Sequence, residues 1–293
     1  MRRPTFLRVY SSDATEKDDE ATPINRSDSD DVRNSIDNNE LHVYTELHND
    51  EQMLMFRPTM ALEGPVARSY FDGTWPWQCA VVFAFTFWSH AVATRGACTL
   101  ALSGGGTAND LLDALAAWPL PWQRLTIFQV DERVAPHGDR DRNLTALEAR
   151  LLCHAPANWS GLRAMPVEQE VGRATAAYAR VLDAASGRPP VLDVAHLGLG
   201  ADGHTASLIP GDPALDADSD VAVTGEYQGR RRLTLTLPCL ARASWRVWLV
   251  TGTEKADVLA RVVARDLRLP ASRLADCPGE CFADAAAATG LGN

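Results

Sequence analysis

"VLDVAHLGLGADGHT", residues 191–205, decides how this chain folds. The run up to Leu197 is mostly apolar, it stops at glycines, and Asp202 and His204 follow within a few residues. A buried strand needs neither titratable group. Glycines at a strand end keep side chains out of the space ahead of it. The stretch therefore predicts a strand running into the floor of a reaction site.

The same construction recurs on either side. "CTLALSGGG" (98–106), "LTIFQVDER" (125–133), "RRLTLTLP" (231–238) and "WRVWLVTG" (245–252) are short apolar runs ending in glycine or in charge. Between them lie helical patterns. Thr107–Ala117 carries Leu111, Leu112 and Leu115 on one face, "NLTALEARLLCH" opens near Asn143, Glu168–Ala185 is closed by Gly187 and Pro189, and "EKADVLARVVARD" follows the last strand. Strands alternating with helices predict an α/β fold, a doubly wound, mostly parallel sheet with helices on both faces, Rossmann-like in architecture. In such sheets the ligand crevice lies outside the carboxyl ends of the strands. The loops Ser103–Thr107, Asp131–Arg133, Gly198–Thr205 and Thr251–Lys255 are thus expected to converge, although they span about 150 residues of sequence.

Residues 1–40 are polar, acidic and without core periodicity, which predicts a disordered N-terminal extension. Residues 41–293 are read as a single α/β domain, with "TWPWQCAVVFAFTFWSHAVATRG" (74–96) fitting neither a helical nor a strand period. The first ten residues are basic and free of acids, and "RVYSS" resembles an organelle processing site. The acidic run behind it argues against import, so a cytoplasmic location is expected.

Net charge is −10, of which residues 1–50 hold −6 (6 Lys+Arg against 12 Asp+Glu), leaving −4 for the rest. That balance speaks against nucleic acid as the main partner, and an anionic substrate would need a locally basic site. No apolar run reaches membrane-spanning length, so no membrane partner is expected. The six cysteines show no CxxC spacing and read as reduced thiols; no metal ligand set is apparent.

Three features carry chemistry. "SGGGT" presents backbone N–H groups at a helix start, where a phosphate is favoured, and it lacks both the Walker lysine and the GxGxxG spacing of nucleotide sites. Ser103, Gly104, Gly105 and Thr107 are its candidate binding residues. Lys255 at a helix N-terminus opposes the dipole unless an anion sits there, and Arg232 opens the "TLTLP" strand within reach of the same ligand. In "DER", Arg133 suits a developing negative charge, with Asp131 holding Arg133 or another partner in place. Histidine as a residue type can both take and return a proton near neutral pH, so His204 suits a general base; Asp202 either orients it or caps the following turn. There is no G-x-S-x-G elbow and no HExxH, which leaves a water activated by histidine acting on an already reactive electrophile such as a lactone.

Together "LALSGGGTANDLLDAL", "DERVAPHGDRDRNLTALEARLL", "LDVAHLGLGADGHTASLIPG" and "RRLTLTLPCLARASWRVWLVTGTEKADVL" resemble the 6-phosphogluconolactonase family, from about Thr99 to the end of the Lys255 helix. The resemblance implies hydrolysis of 6-phosphoglucono-δ-lactone to 6-phosphogluconate in the oxidative pentose phosphate pathway, without a cofactor, by a monomer or small homo-oligomer. It implies His204 as the base, Arg133 with Asp131 at the carbonyl, and phosphate held by Ser103, Gly104, Gly105, Thr107, Lys255 and Arg232. The chain departs from the family's usual GGST-P by Gly106 and Ala108, from DSN by Arg142, and lacks the usual amphipathic first helix before residue 97. Amino-sugar-phosphate isomerase/deaminases of the same fold carry DEY and DGHIAFNEP where this chain has DER and DGHTASLIP. A non-catalytic sugar-phosphate binder is the remaining alternative.

Overall fold

The computed structural model describes residues 7–10 and 90–291. In chain order it contains β1 (Leu7–Tyr10), β2 (Cys98–Leu102), α1 (Gly106–Ala116), β3 (Leu125–Gln129), β4 (Asp131–Arg133), α2 (Asn143–Arg150), β5 (Leu162–Arg163) and α3 (Val171–Ser186). There follow β6 (Val194–Leu197), β7 (Val221–Val223), β8 (Arg232–Leu235), α4 (Leu237–Arg242), β9 (Trp245–Val250), α5 (Ala256–Val263), β10 (Gly279–Asp284) and α6 (Ala285–Ala288). Residues 90–95 add a helical turn before β2.

Seven strands form one sheet in the order β1-β10-β9-β6-β2-β3-β5, every pair parallel. From β2 the chain winds outward to β3 and β5, then returns to the other side of β2 and winds outward through β6, β9 and β10. The order reverses between β2 and β6, so the ligand crevice falls at their carboxyl ends. Those ends carry "SGGG" and "GLGADGH".

Alternation within each strand sorts side chains onto two cores. Ala101, Phe128, Ala195, Leu197 and Trp248 face one side, under Tyr178 and Leu182 of α3 and Val258 and Leu259 of α5. Leu100, Leu102, Ile127, Val194 and Leu249 face the other, under Leu111, Leu112 and Leu115 of α1 and Leu147 of α2. Burial on both faces explains why these strands read as continuous apolar runs.

Two expectations need correction and a third holds. The "DER" and "RRLTLTLP" segments do not extend the parallel sheet; β4 and β8 pair antiparallel, with β7, in a separate three-stranded sheet. Lys255 stands at the helix N-terminus as expected, being the N-cap of α5, and it also ends a 3-10 turn, Thr253–Lys255. Leu7–Tyr10, within the stretch expected to be disordered, pairs with β10. The rest of residues 1–40, and most of 41–95, lie outside the described residues.

His196 in β6 is a core residue, as expected from its place inside a strand. It is buried with neither ring nitrogen partnered, and burial pushes its pKa down from 6.5 to about 4. The unfolded chain therefore takes up the proton first. Stability from this group is intact above about pH 6.5 and is lost as pH falls toward 4, on the order of 3 kcal/mol when complete. Urea titrations of the wild type and His196→Leu across that window are expected to diverge, the wild type weakening more steeply. Parallel profiles would remove His196 as the responsible group.

Candidate active site

Gly200 sets the position of His204. A Cβ at residue 200 would stand 2.1 Å from His204 Nδ1 and 2.7 Å from Asp202 Oδ1, so the imidazole lies directly on this glycine. The turn is closed by Gly203 N donating to Gly200 O and Gly200 N donating to His204 O, both at 2.9 Å. Asp202 Oδ1 accepts from the His204 backbone N–H at 3.1 Å and lies 2.5 Å from ring Nδ1. Both roles considered for Asp202 thus fall to the same oxygen: it caps the turn and braces the ring. Desolvation raises the Asp202 pKa, but the His204 backbone N–H and the charge and hydrogen bond of its ring outweigh that, holding the carboxyl below its ordinary range. With Nδ1 committed to Asp202, Nε2 is the nitrogen left for chemistry.

The four loops are joined by side chains. Ser103 Oγ donates to the His196 carbonyl at 2.9 Å, tying the β2 end to β6 across the switch point. A Cβ at Gly104 would fall 2.0 Å from Asn143 Oδ1, so that glycine admits the start of α2. Thr107 and Thr251 share a hydroxyl–hydroxyl bond of 3.0 Å, joining the first loop to the fourth. Gly105, with φ +110, caps α1 and leaves open space around itself and Gly106, so the first-turn amides are uncovered.

Arg133 stands directly opposite Arg232 in the β4–β8 ladder. Like charges facing across a strand pair repel unless an anion joins them. Arg133 Nη1 donates to Asn143 Oδ1 at 2.8 Å and to the Asp141 carbonyl at 2.5 Å. Arg232 Nη2 donates to Gln228 Oε1 at 3.2 Å, and its Nε is buried without a partner. Burial holds the Arg232 guanidinium below its ordinary pKa, against the pull of Asp131. The two arginines, with Gly105, Gly106, Arg140 and Arg230, line a cavity of about 460 Å³. Inside a mildly acidic chain this lining is locally basic, with Arg230 paired to Asp139 and Asp141.

Asp131 does not bond Arg133 directly. Its carboxylate is buried, accepting from Ser207 Oγ at 2.5 Å and from Asn143 Nδ2 at 3.2 Å, and reaches Arg133 only through Asn143. Burial raises its pKa, with the Ser207 bond opposing. Lys255 is not among the residues that line the cavity.

Sequence reasoning missed several participants. Glu132 reads as one more charge in "DER", yet it is fully buried and binds the start of α2. Arg142, the departure from DSN, is also buried, paired with Glu132 at 3.4 Å and with Glu168. Its long side chain is thus accommodated by a carboxylate from the segment before α3. Tyr227 and Gln228 sit on a turn whose "QG" signal was available in the sequence. No group of three His, Cys, Asp or Glu among the described residues could hold a metal. No helix there is long and apolar enough to cross a membrane.

Comparison with known proteins agrees with this geometry. Residues 81–282 match the family model described as glucosamine-6-phosphate isomerases/6-phosphogluconolactonase. The chain is 35% identical over 190 residues to a 6-phosphogluconolactonase of Synechocystis sp., covering 63% of this chain and 79% of that one. It is 35% identical over 211 residues to that of Nostoc sp., covering 69% and 88%. Its fold is similar to the solved 6-phosphogluconolactonase of Trypanosoma brucei, with TM-score 0.66, 25% identity and coverage of 74% and 96%.

Proposed function

The chain belongs to the glucosamine-6-phosphate isomerase/6-phosphogluconolactonase family, and from that premise we infer that it hydrolyses 6-phosphoglucono-δ-lactone to 6-phosphogluconate, a step of the oxidative pentose phosphate pathway. The observation that carries this reading is the braced histidine at the β6 end, linked through the Tyr227 ring to Arg232, which lines the basic cavity with the opposed Arg133.

The chemistry follows from the residues. His204 Nε2 takes a proton from water as the water oxygen attacks the lactone carbonyl. Negative charge gathers on the carbonyl oxygen, and Arg133, held by Asn143 and the Asp141 carbonyl, steadies it. The ester C–O bond then breaks; the ring oxygen leaves and recovers the proton from the imidazolium. The new carboxylic acid loses its own proton to solvent. Asp202 stabilises the imidazolium while it exists, and Asp131 keeps Asn143 in place. The phosphate rests on the amides of the Gly104–Thr107 loop and on Arg232, with Lys255 supplying charge from the fourth loop. The substrate partner is a phosphorylated sugar lactone, met in the cytoplasm by a monomer or small homo-oligomer, and residues 41–293 act as one catalytic domain, whose sheet Leu7–Tyr10 joins beside β10.

The test is hydrolysis of freshly made 6-phosphogluconolactone, corrected for spontaneous opening, beside unphosphorylated gluconolactone. A rate well above buffer that depends on the phosphate is the expected result. A folded protein no faster than buffer on either lactone would sink the reading.

A further inference from the structure

Tyr227 touches three of the groups just assigned, from outside every motif that the sequence offers. It lies on a hairpin between β7 and β8, closed by paired Tyr227–Arg230 backbone hydrogen bonds. Gln228 and Gly229 occupy the turn with φ of +52 and +74, the backbone of a tight primed turn that matches strand twist. The tip is thus set by covalent geometry and by pairing to β8. From there the Tyr227 hydroxyl donates to Asp202 Oδ2 at 3.3 Å, the oxygen that His204 does not use. Its ring meets the His204 ring edge-on, with centroids 5.8 Å apart and planes at 68°. The Arg232 guanidinium carbon sits over the same ring, 5.0 Å from its centroid.

Resting on the lactonase reading above, we propose that Tyr227 is a positioning residue for the hydrolysis. Its hydroxyl and ring edge hold the Asp202–His204 pair in register, and its ring seats Arg232 toward the substrate anion. Asp202 is more than a third exposed at its side chain and, held through Oδ1 alone, would otherwise be free to pivot about that oxygen. A hydrogen bond on its second oxygen removes that freedom, and an aromatic wall limits the imidazole to small rotations about its bond to Asp202. The arginine gains attraction from the ring face at a place where burial has removed water.

The experiment separates the hydroxyl from the ring. Tyr227→Phe is expected to lower kcat about 5-fold with KM within about two-fold, the scale of one hydrogen bond. Tyr227→Leu is expected to lower kcat about 30-fold and also raise KM, since Arg232 loses its seat. If the hydroxyl acts through Asp202, Tyr227→Phe has no further effect in an Asp202→Ala background, where no side chain is left to accept its bond. Additive losses would overturn the proposal, as would a Phe variant with wild-type kcat. A second readout needs no turnover: the downfield proton resonance of His204 Nδ1–H, expected in the wild type and expected to broaden in Tyr227→Phe as exchange with water quickens. A changed resonance in a protein without lactonase activity would keep the positioning role and reject the lactonase reading. Lactonase activity with resonance and kcat unchanged by Tyr227→Phe would do the reverse.

Discussion

Gly200→Ala is expected to lower kcat for the phosphorylated lactone by about 10²-fold, close to the loss of about 10³-fold expected for His204→Ala. The alanine variant of His204 removes the base outright. The glycine variant leaves every catalytic group in place and adds one methyl, whose carbon would stand 2.1 Å from Nδ1 and 2.2 Å from Cε1 of the imidazole. No pair of atoms tolerates that, and the ring is the part able to move, since the backbone is held by Gly200 N to His204 O and Gly203 N to Gly200 O. The ring swings off Asp202, and Nε2 leaves the line of attack; displacements near 1 Å already cost this much in rate. The fold is expected to persist, because the displaced side chain is partly solvent-exposed. Steady-state kinetics of both variants, with circular dichroism to check folding, make the measurement. A Gly200→Ala enzyme with wild-type kcat would mean that the imidazole does not rest on this glycine when it reacts.

That glycine shows what was legible in the sequence and what was not. "HLGLGADGH" says that a strand ends in open backbone beside two titratable groups, because short apolar runs and glycines are local signals. It does not say that Gly200 rather than Gly198 lies under the ring; a Cβ at Gly198 would meet nothing within 4 Å. The parallel strands β2, β3, β6 and β9 were legible for the same reason, each being buried on both faces. β10 was not: "GECFAD" breaks its apolar run with Glu280, and its burial comes from pairing with β9. Nor was the second sheet, since β4 is three residues long and gains its identity only from a partner about 100 residues away. The opposition of Arg133 and Arg232, central to the proposed anion site, is a fact of register, which no local pattern encodes. Tyr227, Glu132 and Ser207 were invisible as site residues because their roles are made of long-range hydrogen bonds.

Glu132 carries the second large effect, on stability first and on rate second. Its Oε1 accepts from the backbone N–H groups of Arg133 and Asn143, and its Oε2 accepts from Leu144 N and Gln129 Nε2, all at 2.8 Å, and from Arg142 Nε at 3.4 Å. Two of those donors belong to the first turn of α2, where a carboxylate also meets the positive end of the helix. Glu132→Gln keeps the shape and supplies an NH₂ where a carboxylate oxygen stood. Whichever way the amide turns, two or more buried N–H groups face another donor, and Arg142 keeps only Glu168 as a counter-ion. Orphaned donors and a broken buried pair together predict a loss of about 4 kcal/mol. Urea titration should find it as a lower midpoint at unchanged slope. Asn143 depends on this seat and in turn holds Arg133, so kcat under conditions where the variant is folded should also fall, by about 10-fold. Arg142→Met removes the other half of the pair, and because both changes break one interaction, the double variant should lose less than the two singles combined. A Glu132→Gln protein weakened by under about 1 kcal/mol would show that α2 and Arg133 are held without it, and the seat of Arg133 would then have to rest on Asn143, braced by Asp131 and Ser207.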